Sequence, residues 1–222
     1  MHYDTELRNH GLRHDPFKAL VVPRPVGWVS TLSADGVANL APYSFFNAVS
    51  DRPPMLMFSS GGAKDSLRNV LATGEFTCSI ATWALRDAMN LSSATVAPAV
   101  DEFELSGLAP APSQFVKPAR VARSPAAFEC KLWKTLPLPP HKPGAESSYT
   151  MVLGTVVGIY IDDAFISDGM VRTGDMGVLA RLGYMDYSVL TGDAMFTMNR
   201  PLASEDGLTA SVEPGAWDGV FR

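Results

Sequence analysis

From residue 27 to 33 the chain alternates large and small side chains. Trp28, Ser30 and Leu32 fall to one side, Val29 and Thr31 to the other, and Ala34-Asp35-Gly36 follows at once. A period of two is the mark of a strand, and a closing Asp-Gly marks a hairpin turn. The segment must therefore pair antiparallel with what comes next, residues 39–49, a returning strand interrupted by Pro42, which has no N–H to give a ladder. Further strands are predicted over 54–60, 75–81, 127–136, 149–162 and 194–199. Only brief helices stand between them: one begun by Asp65 or Ser66 and ended by Gly74, one after Thr82 to about residue 90, and one over 174–182. Six or more short strands without regular strand–helix alternation exclude a doubly wound sheet. They predict one all-β domain, a barrel or sandwich decorated by short helices. Residues 91–124 read as a loop-like cover on that body. Pro137 to Gly144 reads as an exposed excursion, and the segment after Pro201 as a tail or docking arm carrying Trp217 and Phe221.

Composition narrows the function. The 222 residues carry a net charge of −5 with a pI near 5.3, which excludes a general nucleic-acid binder, since that needs a basic face. No apolar run approaches the roughly 20 residues that span a bilayer, and the polar start of the chain lacks a signal peptide's apolar segment. Cys78 and Cys130 are the two cysteines, both in apolar strand segments, and they read as buried free thiols in a reducing compartment. The expectation is a cytoplasmic protein with no membrane and no nucleic-acid partner.

Two segments carry chemistry. In Ser59-Ser60-Gly61-Gly62-Ala63-Lys64-Asp65-Ser66 a strand ends in hydroxyls, glycines admit a ligand to the backbone, and a lysine stands at a helix mouth. Free N–H groups of a helix start plus a lysine suit an anion. The spacing is not that of a Walker loop, and Asp65 repels a phosphate unless it is turned away as the helix cap. An exposed helix start with a solvated lysine fits the same residues. In the second segment, Ser30, Thr31, Ser44 and Asn47 place hydroxyls and an amide on otherwise apolar strands, beside Trp28, Val29, Phe45 and Phe46. Their partners are either the sheet itself or the alternating donors and acceptors of a flavin ring. His10 and His14 lack a third metal ligand, and His141 lies in the proline-rich excursion. Asp162, Asp163, Glu102 and Glu104 read as solvated turn charges. With no GxGxxG, a nucleotide redox cofactor would be bound in some other way.

Taken together the strings resemble a known family. Pro23-Arg24-Pro25-Val26-Gly27-Trp28-Val29-Ser30-Thr31, Asn39-Leu40-Ala41-Pro42-Tyr43-Ser44-Phe45-Phe46-Asn47, Pro53-Pro54 and Lys64-Asp65-Ser66-Leu67-Arg68-Asn69 resemble the flavin reductase-like proteins with the FMN-binding split barrel, the flavoredoxin and NAD(P)H:flavin oxidoreductase type. Later blocks, from Val116-Lys117-Pro118 to Arg181-Leu182-Gly183 before Tyr187, keep the family's order. The resemblance spans residues 14–201, leaving 1–13 as an N-terminal arm and 202–222 as a C-terminal tail. It implies a six-stranded antiparallel Greek-key split barrel, a homodimer, and FMN near the subunit interface. It also implies that Trp28, Val29, Ser30, Thr31, Ser44, Phe45, Phe46 and Asn47 line the ring and ribityl chain, and that Ser59, Ser60, Lys64, Asp65 and Ser66 hold the phosphate. Tyr184 and Tyr187 would close the site. NADH or NADPH is the implied reductant, with a flavin or another molecule as acceptor. The alternative is a flavoredoxin-like electron carrier reduced by a protein partner, and a third reading replaces FMN by haem or a pyridoxal phosphate relative. At Tyr149, ahead of the Gly154 strand, many short flavin reductases have a histidine; tyrosine is uncharged near neutral pH and a poor proton shuttle, which leaves the electron source open.

Overall fold

The computed structural model describes residues 1–142, 144–212, 215–217 and 219. The predicted hairpin forms β1 (Gly27–Leu32) and β2 (Ala38–Tyr43). Its turn closes through Ser33 N–H to the Val37 carbonyl at 2.8 Å. Next come β3 (Phe46–Asp51), β4 (Pro54–Gly61), α1 (Asp65–Thr73) and β5 (Glu75–Ile80). A 3-10 turn at Trp83–Leu85 leads into α2 (Arg86–Leu91), and α3 (Glu102–Leu105) lies in the cover segment. The long strands β6 (Ala126–Pro137) and β7 (Tyr149–Ile161) close the set. Gly74 ends α1 in the left-handed region at φ +73°, where a side chain would strain the backbone.

These strands form one seven-stranded sheet with hydrogen-bonded order β2-β1-β5-β6-β7-β4-β3, every pairing antiparallel. Its two edges, β2 and β3, are consecutive in the chain, joined only by Ser44 and Phe45. Laid flat, seven strands put their edges about 29 Å apart. The chain from Tyr43 to Phe46 reaches only about 11 Å. The sheet must therefore curl until its edges approach each other at Ser44–Phe45, where Ser59 N–H to the Phe45 carbonyl at 2.8 Å carries the β3–β4 ladder up to the crossing. The architecture is the expected all-β barrel with short helices, with seven strands where six were expected.

The extra strand has a simple origin. Pro42 does not interrupt the 39–49 strand: it lies inside β2 opposite Trp28, on the sheet edge where no N–H is needed. The break falls instead at Ser44–Phe45, where the chain crosses from one edge to the other. Two further expectations are corrected. Residues 174–182 form no helix but a 3-10 turn at Thr173–Asp175 and a strand, Leu179–Arg181. That strand pairs with Arg24–Pro25 and with Tyr187–Val189 in a small second sheet. Residues 195–199 form no strand and follow a 3-10 turn at Gly192–Ala194. Phe221 lies outside the described residues. Among the described residues no helix is long and apolar enough to cross a membrane.

The interior has two parts, one on each face of β1. Inside the barrel Val29 packs with Phe58, Val70, Phe76, Cys78, Cys130 and Val152. Outside it Trp28 packs with Leu40, Leu85, Met89, Phe103, Val121 and Leu179, beneath the helices and the 91–124 cover. Each large side chain sealed this way contributes roughly 1.5–3 kcal/mol. Both thiols are buried and free, and burial pushes the Cys78 thiol up to about 12.

Candidate functional site

The site is built where β4 ends and α1 begins. Lys64, in extended backbone, is the N-cap residue of α1, and no side chain caps the helix. Asp65, expected as the cap, instead forms an ion pair with Arg68 one turn on. The helix start thus keeps open N–H groups, Lys64 is exposed, and its ammonium has no ion pair among the described residues. A buried polar network anchors this start to the barrel. Ser66 Oγ donates to Asn39 Oδ1 at 2.8 Å, and Thr31 Oγ1 donates to the same oxygen at 3.3 Å. Asn69 Nδ2 donates to Thr31 Oγ1 at 3.0 Å. Asn39 Nδ2 donates to both Glu102 carboxylate oxygens at 3.1 and 3.0 Å, and Leu40 N–H adds a bond at 2.9 Å. Burial raises the Glu102 pKa, while those donated bonds pull the other way.

Among the described residues, three cavities open in series along the 39–47 segment, and a fourth touches it at Phe45. The first, about 410 Å³, lies between the α1 start, β2 and residues 92–98, and is lined by Lys64, Asp65, Ser66, Arg68, Ser93 and Thr95 among others. Tyr43 also lines it; its hydroxyl is buried near the Ser60 and Ser66 hydroxyls but makes no bond of good geometry, and burial raises its pKa. A second cavity of about 250 Å³ shares Pro42 and Ser93 with the first. The third, about 440 Å³ and mostly apolar, shares Arg24 and Ser44 with the second. The three make one groove: polar at the first end, where Lys64 and Arg68 stand with Asp65 and Glu102, cationic in the middle, and aromatic at the far end.

The aromatic end is lined by Ser44, Phe45, Phe46, Asn47, Ser59 and Tyr149 among others. Phe46 turns its ring over Gly27, so close that a Cβ there would lie 2.4 Å from it. Phe45 and Tyr149 stand with ring centroids 5.8 Å apart at 60°. Ser59 Oγ is buried in this apolar wall with no partner. An unsatisfied buried hydroxyl costs roughly 1–3 kcal/mol, a cost that a ligand atom here would remove. Ser59→Ala is accordingly expected to leave the ligand-free protein as stable or up to about 1–2 kcal/mol more stable, while weakening whatever ligand bonds that hydroxyl. Urea unfolding with and without added ligand checks this. A ligand-free variant markedly less stable than the parent would mean that Ser59 is structural.

The structure sorts the residues expected from sequence into three groups. Ser44, Phe45, Phe46, Asn47 and Ser59 meet at the aromatic end, and Lys64, Asp65 and Ser66 at the cationic end. Ser59 thus lines the aromatic cavity and not the one at Lys64. The side chains of Trp28, Val29, Ser30 and Thr31 turn into the interior and line none of the three cavities. Trp28 Nε1–H bonds Ser92 Oγ at 2.9 Å, Val29 is fully buried, Ser30 Oγ donates to the Ala119 carbonyl, and Thr31 belongs to the Asn39 network. Ser60 is also fully buried, donating to the Gly62 carbonyl at 3.2 Å. Glu102 is no solvated turn charge but a buried acceptor, 4% exposed. Tyr184 and Tyr187 line the middle cavity, as do Arg24 and Arg181, which sequence reasoning had not assigned. The signal for Arg24 was its place between two prolines at the head of β1, a position where a guanidinium is sealed in.

A family model described as "Flavin reductase like domain" matches residues 19–176. An uncharacterized protein of Aquifex aeolicus is 39% identical over 158 residues, covering 68% of this chain and 76% of its own. Among solved structures, nitrilotriacetate monooxygenase component B from Bacillus cereus superposes with a TM-score of 0.79 at 27% identity, covering 89% of this chain and 98% of that one. The 2-nitrobenzoate 2-nitroreductase NbaA of Pseudomonas fluorescens gives 0.78 at 26% identity, covering 92% and 100%.

Proposed function

The chain belongs to the flavin reductase-like family, and from that premise we propose that it binds FMN along the groove and acts as an FMN-dependent oxidoreductase using NADH or NADPH. The observation that carries this is the groove's two-ended chemistry: a cationic helix start at one end, and at the other an aromatic wall holding a buried, unpartnered hydroxyl. That division fits a molecule with a phosphate at one end and a flat ring at the other. Lys64, Ser66 and Arg68 would hold the phosphate, with Asp65 neutralised by Arg68. Ser44, Phe45, Asn47 and Ser59 would border the ring, and Tyr149 would cover it. When bound, FMN supplies the redox chemistry, accepting or giving a hydride or single electrons at its ring. The chain's own residues do the rest. Phe45 and Tyr149 exclude water, Ser59 gives the ring an oriented hydroxyl, and the Asn39 network fixes the α1 start against β2.

Further parts of the reading rest on the same groove. We assign residues 14–201 as the functional unit, because Arg24–Pro25 pairs with Leu179–Arg181 and so draws the chain after residue 176 into the fold. The exposed Tyr184, Met185, Phe196 and Met198 support a second copy of the chain packing beside the groove, as a homodimer. Two buried free thiols support a cytoplasmic setting. Tyr149 in place of a histidine favours a second reading, a flavoredoxin-like carrier reduced by a protein partner. Anaerobic addition of NADH or NADPH to the FMN-loaded protein decides between them. Bleaching of the flavin band by either is the expected result. Bleaching only by a reductase partner selects the carrier, and a haem or pyridoxal spectrum in the isolated protein overturns both.

A further inference from the structure

The middle cavity, which the flavin would pass between its phosphate and its ring, has a charge pattern that neither of those two ends accounts for. Arg24 and Arg181 stand directly opposite each other on adjacent strands of the small sheet. Like charges so placed repel. Lys18 lines the same cavity, so three cations face it, and its lining includes no carboxylate. None of the three takes part in an ion pair among the described residues. Arg24 is 7% exposed, and its Nε is buried without a partner. Its other nitrogens are committed: Nη1 donates to the Lys18 and Val21 carbonyls at 2.6 and 2.5 Å, and Nη2 to the Leu182 carbonyl at 2.8 Å. Arg181 is steadied by a bond from Nη2 to the Tyr184 carbonyl and by the Tyr187 ring, 4.5 Å from its guanidinium. Burial and the neighbouring Arg181 both lower the Arg24 pKa, the direction expected where positive charge lacks a counter-ion.

Both arginines are thus held rigidly beside each other at a cost, around a space rimmed by Tyr184 and Tyr187. The Lys64 end already provides for the single phosphate of FMN. Lys18 and Arg181 lie outside residues 19–176, the span the family model matches, and Arg24 lies inside it. We propose that the Lys18–Arg24–Arg181 basin is a docking site for an oxyanion, a carboxylate or a phosphate, carried by the substrate that exchanges electrons with the flavin. The proposal rests on the flavin reading above. Arg181 and Lys18 have donors to offer the oxygens of such a group, the buried charge of Arg24 stands behind them, and the tyrosines offer a flat surface to the rest of the molecule. The protein would then discriminate against neutral substrates of the same shape.

Titration of the FMN-loaded protein with benzoate, benzamide and NADP+ tests this, read by flavin fluorescence and calorimetry. The expected result is that benzoate or NADP+ binds and benzamide does not, with binding weakening as salt is raised. Benzoate alone identifies a carboxylate as the docked group, and NADP+ alone a phosphate. Arg181→Gln and, separately, the exposed Lys18→Gln should each weaken the bound probe about tenfold while FMN content stays that of the parent. The proposal is overturned if neither anion binds better than benzamide, or if both variants bind the probe as the parent does. It is also overturned if both variants lose FMN, since the basin would then belong to the flavin's own site and the flavin reading would stand. A protein that takes up no FMN sinks the flavin reading, and the same titration on that sample still decides whether the basin holds an oxyanion.

Discussion

Asn39→Asp is expected to destabilise the fold by about 3–5 kcal/mol at neutral pH, although it changes one amide group into an oxygen of the same size. The reason is the orientation of Asn39. Its Oδ1 accepts from Ser66 and Thr31, so its Nδ2 is committed to the buried Glu102 carboxylate. Aspartate puts a second carboxylate against Glu102 where a donor stood. One of the two must take up a proton for the site to survive, which raises the pKa of the pair in the folded state. The sign of the pH dependence follows. The folded state binds more protons than the unfolded chain, so the variant's stability rises as pH falls and is lost as pH climbs through the raised value. The parent shares this direction weakly, because burial already raises the Glu102 pKa. Urea unfolding of both proteins at neutral and mildly acid pH measures it. A loss below about 1 kcal/mol, or one that does not shrink with acid, would show that the network is not what fixes the α1 start.

Removing both cations at the helix start, Lys64→Ala with Arg68→Ala, is expected to weaken FMN binding about 100-fold or more. A hydrogen bond to a charged group is worth roughly 1.5–3 kcal/mol, and two are removed. Arg68 also shields Asp65, so its loss leaves a bare carboxylate facing the phosphate. Both side chains are exposed, and the cost to folding should stay near 0.5 kcal/mol. Riboflavin, which has the ring without the phosphate, provides the discriminating readout: its affinity should not change. FMN affinity within about threefold of the parent would place the phosphate elsewhere, and equal weakening of riboflavin would trace the loss to the groove rather than to charge.

Much of the fold was legible, and particular residues explain where reading stopped. Alternation and a strong turn gave away the β1–β2 hairpin, because a strand's period and an Asp-Gly turn are local properties. Where the polar side chains of β1 find their partners was not legible, for a physical reason. A strand sealed on both faces must satisfy Ser30 and Thr31 inside the protein, and two of their partners, the Ala119 carbonyl and the Asn69 amide, are remote in sequence. Glu102 was read as solvated on the same ground, since nothing near it in the chain announces Asn39. Pro42 was read as a break because its edge position depends on which strands lie outside β2. The Leu179–Arg181 strand was not legible because its partners, Arg24–Pro25 and Tyr187–Val189, supply what its own short pattern lacks.

By itself, then, the sequence determined the strand periods, the hairpin, the short α1 with Lys64 at its start, and the kinship carried by the 23–69 motifs. Each depends on neighbours within a few residues. Only the tertiary structure decided which polar side chains face the groove and which are consumed in the interior. It alone joined Lys18, Arg24 and Arg181 into one basin, because burial and charge balance are set by contacts between segments as far apart as Arg24 and Arg181.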